Sequence, residues 1–388
     1  MIFFLAVGLL SACLDEKSGQ KNQENKQKTT KNSQNNKGGR TIIDAGSNAQ
    51  YQGKPGRLMI VSKNTVYTDE FNVLFDSIFN AKITPYYPST PYFEIFQRTR
   101  KKFRSLSTRL RNVIDLAVDT TLEKGKPTMH IYENYYAKTQ MYTKLRAHDI
   151  NDLYALVKQE INYLFNVYER QEWKREFYRH QRKKSKSTNA KLKSNFGIQL
   201  DLPSKYSYES INDEYGIILF PDRSRQMDMK SNGNISTSKT NFIQSGVMIY
   251  QYPCPPAVPA GRLAGAAFED SIQLKPDELM RMRDTILKYN ARHEMEGVYM
   301  GTQDHPAVIP VHERLRINGV EGYQFRGLFK FTGESEPSGG HFWSFQFKHP
   351  NRNTIVAISG YIDAPPTMSP SFDINRIRAV IYSLKVTE

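Results

Sequence analysis

Four consecutive apolar residues, Leu58-Met59-Ile60-Val61, are followed from Thr68 by a different rhythm, in which Phe71, Leu74, Phe75, Ile78 and Phe79 recur every three or four positions. The first pattern suits a buried strand and the second the stripe of an amphipathic helix. Thr68 is the cap residue of that helix, and Asp69 and Glu70 complement the partial positive charge of its first turn. After Pro85, Pro88 and Pro91 the spacing predicts another helix near 92–103, then strands at 113–118 and 128–132. The longest periodic stretch runs from Ile150 to about Arg182. Leu153, Leu156, Val157, Ile161, Leu164, Phe165 and Tyr168 fall on one face behind Asp149 as cap. At 1.5 Å per residue this helix reaches about 48 Å. Beyond Tyr168 the stripe thins to Trp173 and Phe177, and Lys183-Lys184-Ser185-Lys186-Ser187 reads as a solvated end and a domain boundary.

From Asn195 the grammar changes. Phe196, Ile198, Leu200 and Leu202 alternate and stop at Pro203, which predicts a half-buried strand. Further strands are expected at 216–220, 247–252, 322–331, 342–348 and 354–362. His349-Pro350-Asn351-Arg352-Asn353 forms the turn of an antiparallel hairpin between the last two. Two helices interrupt them. One starts at Pro276 with Leu279, Met282, Ile286 and Tyr289 facing inward, and a C-terminal one docks through Ile374, Ile377, Val380, Ile381 and Leu384. The expected fold class is α+β: an N-terminal α/β unit with a long helix (57–194), then an antiparallel-sheet α+β domain (195–388). The order of elements from Asn195 resembles the PsbP/Mog1-type sandwich.

The first 56 residues lie outside that pattern. Residues 1–12 read as a signal peptide whose apolar run is shorter than the roughly 20 residues a membrane-spanning helix needs. Leu10-Ser11-Ala12-Cys13 resembles the bacterial lipobox. That resemblance implies lipidation of Cys13 and cleavage before it. Residues 13–56 are expected to be a flexible tether, since from Leu14 to Arg40 there is no aromatic residue and almost no aliphatic one. Its mean span is roughly 35 Å. Asp15-Glu16 resembles the acidic signal by which Bacteroidota send lipoproteins to the cell surface.

Residues 56–78, the 323–331 strand with Arg326-Gly327-Leu328, the Ser338-Gly339-Gly340-His341-Phe342 stretch and Gly360-Tyr361 before Ala364-Pro365 together resemble the DUF4837 lipoproteins of Bacteroidota. The likeness extends over most of 57–386. The family has no assigned activity, so it implies no catalytic residue, cofactor or ligand.

Composition narrows the function further. Of 388 residues, 39% are hydrophobic and 12% aromatic, enough for real cores in two units. There are two cysteines, which excludes a thiolate zinc cluster and a CxxC redox pair. With Cys13 acylated, Cys254 has no partner, and its proline-rich surroundings supply nothing to activate a thiol. The formal charge of +15 favours phosphate-bearing partners, and for an exported chain those are lipids rather than nucleic acid.

No complete catalytic pattern is present. His293-Glu294 and His312-Glu313 do not extend to H-E-x-x-H, and a metal site would need His293, His305 and His312 to converge. Ser338 and His341 lack a nucleophile elbow, and Glu334 with Glu336 is the one carboxylate pair worth considering for a glycosidase. Two basic clusters carry interleaved aromatics: Arg98, Arg100, Lys101, Lys102, Arg104, Arg109 and Arg111 with Phe96 and Phe103, and Lys174, Arg175, Arg179, Arg182, Lys183, Lys184 and Lys186 with Trp173 and Phe177. They read first as wet helix faces, and next as surfaces for anionic lipid or a protein. The expectation is an outer-membrane lipoprotein, periplasmic or surface-exposed, that acts without catalysis, metal or cofactor as a binding or assembly component. It would meet the membrane through its N-terminal lipid, and an envelope protein or anionic lipid through its surface. The rival is a hydrolase of envelope polysaccharide or peptide.

Overall fold

The computed structural model describes residues 41–231, 234–254, 275–291, 296–333, 339–366 and 368–387. The first unit comprises β1 (Ile42–Asp44), β2 (Arg57–Ser62), α1 (Asp69–Ile78), β3 (Glu94–Thr99), β4 (Asn112–Val118), β5 (Thr128–Glu133), β6 (Met141–Ala147) and α2 (Ile150–Gln181). Its strands form one sheet in the order β1-β5-β6-β4-β2-β3, parallel throughout except for the β5–β6 pair. Period-two alternation divides the side chains between its faces. Leu58, Ile60, Ile114, Leu116 and Leu145 meet Phe71, Phe75 and Phe79 of α1 and the Leu153-to-Tyr168 stripe of α2. Asp149 caps α2 by accepting from the backbone N–H groups of Asn151 and Asp152.

Two elements differ from the sequence reading. The segment near 92–103 is strand β3, not a helix. It pairs in register with the free edge of β2 from Arg57–Glu94 to Ser62–Thr99. Ile95, Phe96 and Thr99 suit a strand, and a row of unpaired β2 groups rewards extension more than a weak helical spacing does. Within the stretch expected to be tether, Ile42–Asp44 forms a strand on β5, and Gln52 N–H donates to the Arg109 carbonyl at 2.8 Å.

The second unit contains α3 (Lys186–Phe196), β7 (Ile198–Gln199), β8 (Ser207–Ser210), β9 (Tyr215–Leu219), β10 (Arg223–Ser231), β11 (Asn234–Pro253), α4 (Pro276–Asn290), β12 (Tyr299–Thr302), β13 (Val311–Ile317), β14 (Val320–Thr332), β15 (Gly339–Lys348), β16 (Thr354–Asp363), α5 (Ser371–Ile381) and β17 (Lys385–Val386). An antiparallel sheet runs β12-β14-β15-β16-β11-β9-β8, with β10 on β11 and β13 on β14. The expected β15–β16 hairpin is present, from His341–Ile362 to Lys348–Ile355. One sheet face carries Trp343, Phe345 and Phe347 against α5, and the other carries Phe342 and Tyr361 against α4. Gly360 lets α5 approach the sheet, because a Cβ there would lie 2.2 Å from Ile377 Cγ2. Each fully buried aliphatic of α5, Ile377 among them, contributes roughly 1.5–3 kcal/mol by leaving water. Mixed helix and antiparallel sheet make the chain α+β, as its pattern predicts.

The charged run 183–187 leads directly into α3, capped by Ser185, which buries Leu192 and Phe196 in the second core. Phe196 therefore ends a helix rather than opening a strand, and of the alternating run Ile198 and Gln199 alone pair, with β17. On α4 the buried positions are Leu279, Arg283 and Leu287, whereas Tyr289, expected inward, is 61% exposed. The two units meet where α2 packs on α5. Glu169 pairs with Arg378 there, Trp173 lies 4.7 Å from the Tyr382 ring, and Tyr86 of the first unit donates to the Phe342 carbonyl at 3.0 Å.

Candidate functional site

The sequence candidates for chemistry do not assemble. Cys13, His293, Glu334, Glu336 and Ser338 lie outside the described residues. His305 accepts from the Ala307 N–H in an exposed turn, while His312 lies on β13 against the Tyr323 and Phe325 rings. Among the described residues no three His, Cys, Asp or Glu side chains are placed to hold a metal ion. His341 is buried edge-on to Tyr86, and burial pushes its imidazole pKa down to about 4, so it is neutral at pH 7. Cys254 is a buried free thiol in the core beneath α4.

The basic clusters behave unexpectedly. Arg111 and Arg175, one from each, are buried instead of solvated, and both point at Glu172 of α2. Glu172 Oε2 accepts from Arg111 Nη2 at 2.8 Å, and Oε1 accepts from Arg175 Nη1 and Asn112 Nδ2, each at 2.6 Å. Arg111 Nε and Gly56 N–H add two longer contacts, each of 3.3 Å. Burial pushes the Glu172 carboxyl up, but the two guanidinium groups outweigh it and hold the pKa down to about 2. The polar half of α2 is thus clamped to the start of β4.

Next to that clamp a cleft of about 310 Å³ opens beside the first residues of β2 and β4, on the sheet face away from α1 and α2. Lys54, Arg57, Arg98 and Arg111 line it over Met59, Phe96, Leu106 and Leu110, and among the described residues no Asp or Glu lines it. Arg111 shares the Glu172 carboxylate with Arg175, and Arg57 lies 3.3 Å from exposed Glu94, a pair that solvent weakens. Lys54 and Arg98 make no ion pair among the described residues. Met59 and Leu110 also belong to the apolar cluster of Val61, Val113 and Tyr142, which Phe103, Tyr132 and Tyr135 extend. Lys144 lies 4.4 Å from the Tyr135 ring centroid, and Tyr135 lies 4.6 Å from both Tyr136 and Tyr142. The sheet face opposite α1 and α2 thus carries the basic cleft, edged by the short 3-10 helix Ser105–Arg109, and beside it the aromatic cluster. Arg98 was legible in the sequence as part of a basic cluster. Lys54 was not, because it stands in a polar stretch that only the fold brings to β2.

Separate parts of the chain match two different family models. Residues 52–181 match a family model described as Domain of unknown function (DUF8532), and residues 265–382 match one described as Domain of unknown function (DUF4837). The second match supports the DUF4837 resemblance for the later part of the chain. The stretch 56–78, read with that family in the sequence, falls under the first model instead. No curated protein matches the chain. Solved structures similar to it include a mutant of the protein Mog1 (TM-score 0.27, 9% identity, covering 50% of this chain and 92% of that one). Another is the Saccharomyces cerevisiae Ran-binding protein Mog1p (TM-score 0.26, 10% identity, covering 50% and 91%).

Proposed function

We propose that this chain is a non-catalytic binding or assembly component of the cell envelope, held at the outer membrane through a lipid on Cys13. In this reading the cleft of the first unit receives the phosphate of an anionic lipid head group. The observation that carries it is a basic cleft with an apolar floor, in which, among the described residues, no acid lines the walls and Lys54 and Arg98 have no ion-pair partner. An anionic amphiphile satisfies both halves of such a lining, and the aromatic strip beside it suits the interfacial zone of a bilayer. The lipobox-like terminus and the polar stretch after it support placement near a membrane. Among the described residues no helix is long and apolar enough to cross one.

Two measurements test this. Radiolabelled palmitate is expected to enter the wild-type chain in cells and to be absent from Cys13→Ala; label that survives the substitution removes the anchor. The unlipidated Cys13→Ala protein is expected to co-sediment with phosphatidylglycerol vesicles and not with phosphatidylcholine vesicles. Lys54→Gln with Arg98→Gln should weaken that binding roughly 10–30-fold, at about 1 kcal/mol per basic residue near an anionic surface. Equal binding to neutral vesicles, or no effect of the double variant, eliminates the lipid reading of the cleft.

A further inference from the structure

Arg283 is an arginine with no exposure at all, placed on the face of α4 that the sequence predicts to be apolar. Its Nη1 donates to Thr302 Oγ1 at 2.9 Å and to Asp284 Oδ1 at 3.0 Å. The guanidinium stacks 4.0 Å over the Phe342 ring, which fixes its plane. Nε and Nη2, the two donors of the opposite edge, are buried and have no hydrogen-bond partner among the described residues. That edge is the fork that matches a carboxylate or phosphate with two parallel bonds.

The sheet beneath it is unusually rich in hydroxyls. Ser344 of β15 and Ser359 of β16 face each other across the hairpin register, both fully buried. Among the described residues the Ser359 hydroxyl has no partner, and those of Tyr250 and Ser344 lie beside one another short of good hydrogen-bond geometry. Gln346 Nε2 on the same face is also buried and unpartnered among the described residues. Tyr250 and Tyr215, paired opposite each other on β11 and β9, both feel the charge of Arg283. Arginine can only donate, serine and tyrosine hydroxyls can donate, and the sole carboxylate in contact with this guanidinium among the described residues, Asp284, bonds its other edge. Among the described residues nothing accepts from the two donors of the fork. A buried charged donor left unmade is among the more costly defects a fold can carry.

We infer that the layer between α4 and the second sheet is a binding site for a small oxyanion, a carboxylate or a phosphate group, held bidentately by Nε and Nη2 of Arg283 with the hydroxyls of Ser344, Ser359 and Tyr250 as further donors. This site is separate from the cleft of the first unit, and its ligand is a small soluble anion, not a membrane surface.

The test titrates the full chain with sodium phosphate and, separately, with sodium acetate, following heat release and thermal unfolding. One of the two probes is expected to bind saturably at one per chain, which also tells a phosphate from a carboxylate site. Lys54→Gln with Arg98→Gln should leave that binding unchanged, which separates it from any phosphate held in the cleft. Arg283→Lys keeps the charge and removes the fork, and should weaken binding about tenfold or more. Ser344→Ala with Ser359→Ala should weaken it several-fold in a chain that circular dichroism shows to be folded. Arg283→Met is informative if it folds, and Arg283→Lys carries the test if it does not. Absence of saturable binding by both probes overturns the inference. So does binding that Arg283→Lys leaves intact, or an Arg283→Met chain more stable than wild type in the presence of either probe. Any of these results makes the fork a hydrated core side chain.

Discussion

Glu172→Gln is expected to lower stability by about 3–5 kcal/mol, the usual cost of removing one partner from a buried ion pair. The carboxylate is 4% exposed and serves Arg111, Arg175 and Asn112 at once. A glutamine retains the shape but takes the directly bonded counter-charge from two buried guanidinium groups, and its own NH2 must face one of them. Against a total of about 5–15 kcal/mol for a typical domain, this is a large fraction. Urea unfolding followed by tryptophan fluorescence in a Trp343→Phe background reads the first unit, since Trp173, the next residue on α2, is then the sole tryptophan. A loss below about 1 kcal/mol would show that water already solvates the cluster.

The same residue sets an acid limit. Its folded pKa of about 2 lies below the ordinary 4.5, so the fold favours the deprotonated form. The stability it contributes is fully present above about pH 4.5 and is lost as pH falls toward 2. At 1.36 kcal/mol per pKa unit the amount is roughly 3 kcal/mol. In Glu172→Gln that segment of the pH profile should flatten, and variant and wild type should converge in acid.

The second large effect is expected at the joint between the units. Arg378 of α5 pairs with Glu169 of α2 and lies between the Trp343 and Tyr382 rings, 4.9 and 5.6 Å from their centroids. Glu169→Gln leaves this guanidinium without a counter-charge at 8% exposure, at an expected cost of about 3 kcal/mol. Because the pair spans the α2–α5 contact, unfolding should also separate into two transitions, with the second unit melting apart from the first. The double variant Glu169→Gln with Arg378→Met should recover more than half of the loss, as no buried charge then lacks a partner. A single cooperative transition in Glu169→Gln would show that the apolar part of the interface, including Tyr86 and Ile83 in the second core, couples the units by itself.

These two effects and the oxyanion site share a property: each turns on a polar residue that a helix buries. Nothing in the local pattern distinguishes such a residue from a solvated one. Glu172 and Arg175 stand in a stretch of α2 where the apolar stripe has faded, and their partners Arg111 and Asn112 are some sixty residues earlier. Arg283 lies one turn beyond Leu279 among charged neighbours. A buried charge is recognisable by what surrounds it, and its surroundings come from other parts of the chain.

Sequence alone determined the elements whose periodicity is strong: β2 with α1, the apolar two-thirds of α2, the β15–β16 hairpin and α5. For these, burying one stripe or one strand face is a local requirement that the order of residues states directly. Tertiary structure decided the rest. It made β3 a strand by offering the open edge of β2, placed Lys54 beside Arg98 in one cleft, and turned Arg283 toward a sheet of hydroxyls. The physical reason is that hydrogen-bond and charge satisfaction are settled between distant segments, whereas hydrophobic period is written along each one.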